Sequence, residues 1–339
     1  MAAVVRQRQV YVPLELAGLP QPAGLGAIVR TLHGESMGTR WTVRLVLPPG
    51  LAERAVRAAI EAELARVVAQ MSTWLPSSDL CRYNAAPAGS WLTLPAEFYT
   101  VLRAAQTLAR DTAGAYDATA GALVDLWGFG PQPRRDTPPS PAEIGAARAL
   151  GGWSRLQLDD DGRRACQPGG LRLDLSSIAK GYGVDLVCAA LQSQGCEHFL
   201  VEVGGELRGH GCKPDGSPWW VALERPPQAE ALPEALIALH GLSVATSGDY
   251  RRGFEFEGRH YAHTLDPRSG YPVMDGPAVV IVVHRECMQA DALATALSVL
   301  GSEAGHAYAQ ARGIAASFVQ REGDTHVERL TPALAALLE

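Results

Sequence analysis

Leu171-Arg172-Leu173-Asp174-Leu175-Ser176-Ser177-Ile178-Ala179-Lys180-Gly181-Tyr182-Gly183-Val184-Asp185 is the stretch on which the fold class turns. Leucines at every second position predict a strand over 171–175, the serine pair a short turn, and the rest a helix start. Backbone N–H groups at such a junction favour anions, and Lys180 adds a point charge suited to phosphate. An ordinary strand-to-helix turn with Lys180 in solvent reads equally well. Further apolar runs at 199–203, 219–223, 279–283 and 314–319 predict more strands, and 181–194 and 291–300 predict helices. Strands joined by short turns with helices in groups point to an α+β fold of layered mixed sheets with packed helices.

Toward the N-terminus the pattern is more helical. Residues 40–47 (RWTVRLVL) alternate like a strand. Helical spacing follows at Val56, Ile60, Leu64, Val67 and Met71, and again at Phe98, Val101, Leu102, Ala105 and Leu108. Ser140-Pro141-Ala142-Glu143 has the form of a capping box. Residues 1–27 read as a loose arm, and 28–339 as one domain that could divide into two lobes near 130–150, where prolines cluster.

Composition narrows the function classes. With 47% hydrophobic and 19% charged residues, the 339-residue chain can build a large core. A net charge of −6 argues against a general nucleic-acid binder. The six cysteines include no C-x-x-C pair, so free thiols are expected rather than a zinc site. No apolar run is long enough for a transmembrane helix, and no signal peptide is read at the start, so a cytoplasmic location is expected.

Several motifs carry competing readings. Gly34-Glu35-Ser36-Met37-Gly38 matches the nucleophile elbow of hydrolases, but a strand follows it where a helix is required. Ser177-Ile178-Ala179-Lys180 matches S-x-x-K without its companion motifs. Asp291 and Thr295 lie at i and i+4, so a helix would present carboxylate and hydroxyl together, as a hard cation prefers. A plain helix-dipole role for Asp291 is the alternative. His263, three residues before Asp266-Pro267, could serve as a general base or be structural. In Val203-Gly204-Gly205-Glu206 the glycines allow positive φ, close approach of a ligand, or a simple bulge. Trp74, Tyr116, Trp127 and Phe129 could line a planar ligand or sit in the core.

Together these segments resemble the ApbE family of FAD:protein FMN transferases. The resemblance runs in order through GESMGTRW, MSTWLPSSDLCRYN, GAYDATAGALVDLWGFG, LDLSSIAKGYGVD, VEVGGELRGHG, ATSGDYRR, HTLDPRSGYPV and ADALATALSVLG, from Gly34 to Gly301. It implies an ApbE-like, T-fold-related architecture. It implies a Mg²⁺-dependent enzyme that moves FMN from FAD onto a threonine or serine hydroxyl of an acceptor protein and releases AMP. By the same resemblance Met37, Trp74, Ala115, Tyr116, Asp117, Asp174, Lys180 and Leu265 contact FAD. Ser177, Asp291, Ala294 and Thr295 hold the metal, Ser177 and Ala294 through carbonyls. Asp291 and His263 are catalytic, His263 as the base. The sequence departs from the family at Glu202, where many members have Asn, and at Ser176-Ser177, where Gly-Gly is common. Two other activities fit the same residues: FAD hydrolysis to FMN and AMP, and FAD binding without catalysis.

Overall fold

Eight strands cross the main sheet in chain order, each antiparallel to the next. They are β1 (Val29–Ser36), β2 (Thr39–Val46), β3 (Phe199–Val203), β4 (Glu206–His210), β5 (Leu242–Gly248), β6 (Val279–His284), β7 (Ala315–Glu322) and β8 (Thr325–Leu330). The computed structural model describes residues 8–13, 23–24, 26–227, 229–250, 252–323 and 325–338. The architecture is α+β as expected, although this sheet is purely antiparallel. Mixed pairing occurs in a three-stranded sheet, where Arg8–Tyr11 runs parallel to Glu234–Leu239 and the latter antiparallel to Trp219–Ala222.

The sequence of β6, VVIVVH, explains the layering. Val280 and Val282 face the helices, while Val279, Ile281 and Val283 join a cluster on the other side with Tyr11, Trp219, Ile237 and Leu334. A strand covered on both faces needs no polar alternation. The helix layer contains α1 (Glu53–Met71), α2 (Ala96–Asp111), α3 (Ala179–Ser193) and α4 (Cys287–Leu300). On α1 and α2 the buried residues include every member of the two stripes read from the sequence. Each fully buried leucine or isoleucine there contributes roughly 1.5–3 kcal/mol. Helix α4 has no polar face of comparable width. From Ala290 to Leu300 almost every side chain is buried, because α4 lies between β5 and β6 on one side and α3 on the other.

Several expectations are corrected. Residues 171–175 form no strand, and only an isolated bridge joins Arg172 to Ala120. The Asn84 amide takes the place of a strand neighbour, accepting from Leu173 N at 2.7 Å and donating to Leu173 O at 3.0 Å. Arg8–Tyr11 is a strand with Tyr11 fully buried, not a loose arm, since Glu234–Leu239 offers it an open edge. Much of the rest of 1–27 lies outside the described residues.

Other readings hold. Met37 and Gly38 make the tight turn between β1 and β2 at φ of 51° and 68°, so the G-x-S-x-G match is a hairpin. Ser140 and Glu143 form the capping box. All six cysteines are free, and four are buried. Among the described residues no helix is long and apolar enough to cross a membrane.

Candidate active site

Helices α3 and α4 meet at Gly181. A Cβ there would lie 2.3 Å from the Cys287 carbonyl oxygen and 2.8 Å from the Asp291 Cβ, so only glycine fits. The close approach lets the Gly181 N–H donate to Asp291 Oδ2 at 2.9 Å. This N–H belongs to the first turn of α3, which has no side-chain cap and therefore offers its donors to an acid. Asp291 is 5% exposed. Burial pushes its carboxyl above the usual range, opposed by the Lys180 charge and by the Gly181 bond.

Among the described residues, three carboxylates and two cations meet in the seam between α3, β4 and α4. Lys180 pairs with Glu206, the first residue of β4, whose side chain is 1% exposed. Arg208, two residues on, pairs with Asp185 of α3. Asp185 also accepts from the backbone N–H groups of Cys287 at 3.0 Å and Met288 at 2.9 Å, which caps α4 from a neighbouring helix. Burial first, then Asp185, Glu206 and Asp291, push the Cys287 thiol well above its ordinary value. It is held as an inert thiol.

The turn after α2 brings in a second group. Ala113 and Gly114 adopt φ of 49° and 82°, which turns the chain toward Tyr116. Ser177 Oγ donates to Tyr116 Oη at 3.2 Å. Burial raises the Tyr116 phenol, the Ser177 bond opposes this, and Asp291, Asp174 and Asp117 raise it further. Asp174 accepts from its own turn, at Ser176 N, 2.9 Å. Asp117 accepts from Thr119 N at 2.8 Å, the Thr119 hydroxyl at 2.7 Å and Trp153 N at 2.9 Å. Burial nevertheless keeps its carboxyl above the usual range. Asp117 is one wall of a cleft of about 220 Å³, with Gly114, Trp153, Arg148 and Arg268 around it.

The structure thus gathers Tyr116, Asp117, Asp174, Ser177, Lys180 and Asp291, with Ala115 buried beside Tyr116. The other candidates sit on separate elements. The Met37 methyl lies 3.0 Å from where a Gly183 Cβ would be, against α3. Trp74 is 66% exposed beyond the end of α1. Leu265 belongs to an apolar cluster with Trp127, Leu123 and Ile144. His263 follows the hairpin strand Arg259–Ala262, with Nδ1 3.3 Å from the Arg252 carbonyl and its ring edge-on to Phe129. Trp127 is fully buried, stacked on Phe254 and Tyr261, with Nε1 bonded to the Gly270 carbonyl. It is a core residue and not the ligand-lining ring allowed for above.

Among the described residues no three His, Cys, Asp or Glu side chains converge as a metal cage. The donor set that α4 offers is the Asp291 carboxylate and the Thr295 hydroxyl one turn on. Both supply oxygen, which suits a hard cation that keeps water and phosphate ligands. The buried carboxylate also calls for positive charge. The residues fit Mg²⁺, although the Ala294 carbonyl already accepts from Ser298 Oγ at 2.9 Å. Glu206 and Asp185 escaped the sequence reading. The one available signal was the charge alternation Glu206, Arg208 against Lys180, Asp185.

A model of the ApbE family matches residues 37–318. The FAD:protein FMN transferase of Vibrio cholerae is 39% identical over 312 residues, 92% of each chain. That of Escherichia coli K12 is 31% identical over 326 residues, 94% of this chain and 92% of that one. The apo crystal structure of the Pseudomonas stutzeri flavinyl transferase ApbE superposes with a TM-score of 0.85 at 44% identity, covering 92% and 97% of the two chains. The ApbE protein of Thermotoga maritima gives 0.80 at 29% identity, covering 92% and 100%.

Proposed function

The chain belongs to the ApbE family, and from that premise we propose that it is a Mg²⁺-dependent FAD:protein FMN transferase that flavinylates a threonine or serine hydroxyl and releases AMP. It is a transferase, with FAD as its substrate and a flavoprotein as acceptor. The observation that carries the finer reading is the Asp291 carboxylate, buried in the central helix and gripped by the Gly181 N–H. A carboxylate placed there costs stability unless a charged ligand compensates it.

In the reaction the acceptor oxygen bonds to the FMN phosphorus of FAD, and the bond from that phosphorus to the AMP oxygen breaks. AMP leaves with the electron pair. Asp291 and Thr295, with the Ser177 and Ala294 carbonyls, would hold Mg²⁺, which supplies neutralisation of phosphoryl charge when bound. Lys180 adds a fixed positive charge beside Asp291. Met37, Trp74, Ala115, Tyr116, Asp117, Asp174 and Leu265 would orient the dinucleotide, since positioning and electrostatics supply most of such catalysis. His263 would take the hydroxyl proton. Its Nδ1 lies 3.3 Å from the Arg252 carbonyl, and a ring hydrogen donated there would put the basic lone pair on Nε2. Residues 28–339 act as one domain in this reading; the largest apolar cluster draws residues from both sides of 130–150.

The test is mass spectrometry of an acceptor peptide incubated with protein, FAD and Mg²⁺, with AMP counted in parallel. One FMN adduct per AMP is expected. Asp291→Ala should abolish both products, and unchanged AMP release would remove Asp291 from the site. His263→Ala should slow transfer by roughly 10²-fold or more while FAD still binds. AMP release that is equally fast without peptide would make the protein an FAD hydrolase.

A further inference from the structure

The flexible side chain of Lys180 has to be kept in the site if its charge is to serve flavin transfer. Its side chain is only 29% exposed, and its ammonium meets a carboxylate that is 1% exposed. A lysine tethered only by its stem would retain most of its rotamer freedom, and ordering it would cost up to about 2 kcal/mol. We propose that Glu206 is a positioning residue of flavin transfer: it fixes Lys180 Nζ within the site and acts on the dinucleotide through that ammonium. The proposal rests on the flavin-transferase reading and deepens it.

The backbone holds Glu206 firmly. It begins β4 directly after the Gly204-Gly205 turn, with φ of 64° and 104°, and it pairs across that turn with Val203. A Cβ on Gly204 would lie 2.8 Å from Thr39 Cγ2, so the turn is seated on the start of β2. Residues 206 and 208 project from the same face of the strand, about 7 Å apart. Lys180 and Asp185 are spaced about 7.5 Å along the axis of α3. The two spacings match and the signs cross, Glu206 to Lys180 and Arg208 to Asp185. Strand and helix are therefore locked in one register, and Lys180 is held where its charge acts on Asp291. A leucine at 206 would fill the same volume with less desolvation cost. A carboxylate there is explained by the need to aim a cation.

A double-mutant cycle separates aiming from mere clamping. Glu206→Gln keeps the shape and removes the charge. It should lower kcat/KM for FAD by roughly 10- to 100-fold, the worth of one charged hydrogen bond. Lys180→Met should do at least as much. In the Lys180→Met background, Glu206→Gln should change the rate by about 2-fold or less. Glu206→Asp, which keeps the charge, should recover part of the loss. The same fold-loss in both backgrounds overturns the proposal, as does a loss in Glu206→Gln that follows the fraction of unfolded protein in thermal melts. Should Glu206→Gln not fold, Glu206→Asp replaces it in the cycle with the same criterion. Wild-type protein that releases AMP without labelling any peptide would sink the transferase reading and leave this coupling measurable in AMP release.

Discussion

The two ends of β4 bury polar groups by opposite means. At Glu206, carboxylates and cations are paired with one another across α3, β4 and α4. At His210, three imidazoles serve instead as hydrogen-bond acceptors and stacking rings. His198 Nδ1 accepts from Cys212 N at 3.1 Å, His240 Nδ1 accepts from Gly211 N at 2.9 Å, and His210 is stacked between Phe199 and His240 at 5.5 and 5.3 Å. Burying an ion is costly without a partner, whereas a neutral ring needs only its hydrogen bond. The first end keeps charge available for a charged ligand. The second satisfies the amides of the turn that leads out of the sheet.

The largest expected effect tests whether the ends are independent. Each contains a glycine with no room for a side chain: a Cβ on Gly181 would meet the Cys287 carbonyl at 2.3 Å, and one on Gly211 the Glu197 carbonyl at 2.2 Å. Gly211 is also at φ of 66°. Gly181→Ala and Gly211→Ala should each cost about 3 kcal/mol in urea unfolding, at the upper end for overpacking. They should differ in function. Gly181→Ala displaces the N–H that grips Asp291, so flavin transfer per folded molecule should fall sharply. Gly211→Ala should leave it close to wild type. Equal losses in the folded fraction of both variants would show that β4 transmits strain from end to end and that the division drawn here is wrong.

This contrast also marks what the sequence made legible. The stripes on α1 and α2, the alternating strand over 40–47, the capping box at Ser140 and the pairing of Asp291 with Thr295 on one helix are local patterns of period two, three or four, and each is found in the structure. The failures were set by partners far along the chain. Asn84 replaced a strand neighbour for Leu173, 89 residues away. Tyr11 was buried by strands more than 200 residues later. Lys180 was readable as a phosphate ligand from its place at a helix start, but its counter-ion lay 26 residues on, across a turn whose register no local rule gives.

The smaller effect is one of pH, and here the neutral end should dominate. Burial first, then the charge of neighbouring His240, holds the His210 imidazole below the ordinary histidine value, with Arg208 and His198 adding to it and Glu197 opposing. For His198 burial is again the first cause, Glu197 opposes it, and His240 adds to it. A histidine whose folded value is depressed binds its proton more readily when unfolded. Its contribution to stability is therefore full above the unfolded value of about 6.5 and is lost as pH falls toward the folded value. The His198 hydrogen bond acts in the same direction, since a protonated Nδ1 can no longer accept from Cys212. Urea midpoints should thus fall between pH 7 and pH 5. His210→Phe, which keeps a ring between Phe199 and His240 and removes one titrating group, should make that fall shallower while changing flavin transfer at pH 7 little. A fall of unchanged steepness in His210→Phe would place the acid-sensitive groups outside this turn.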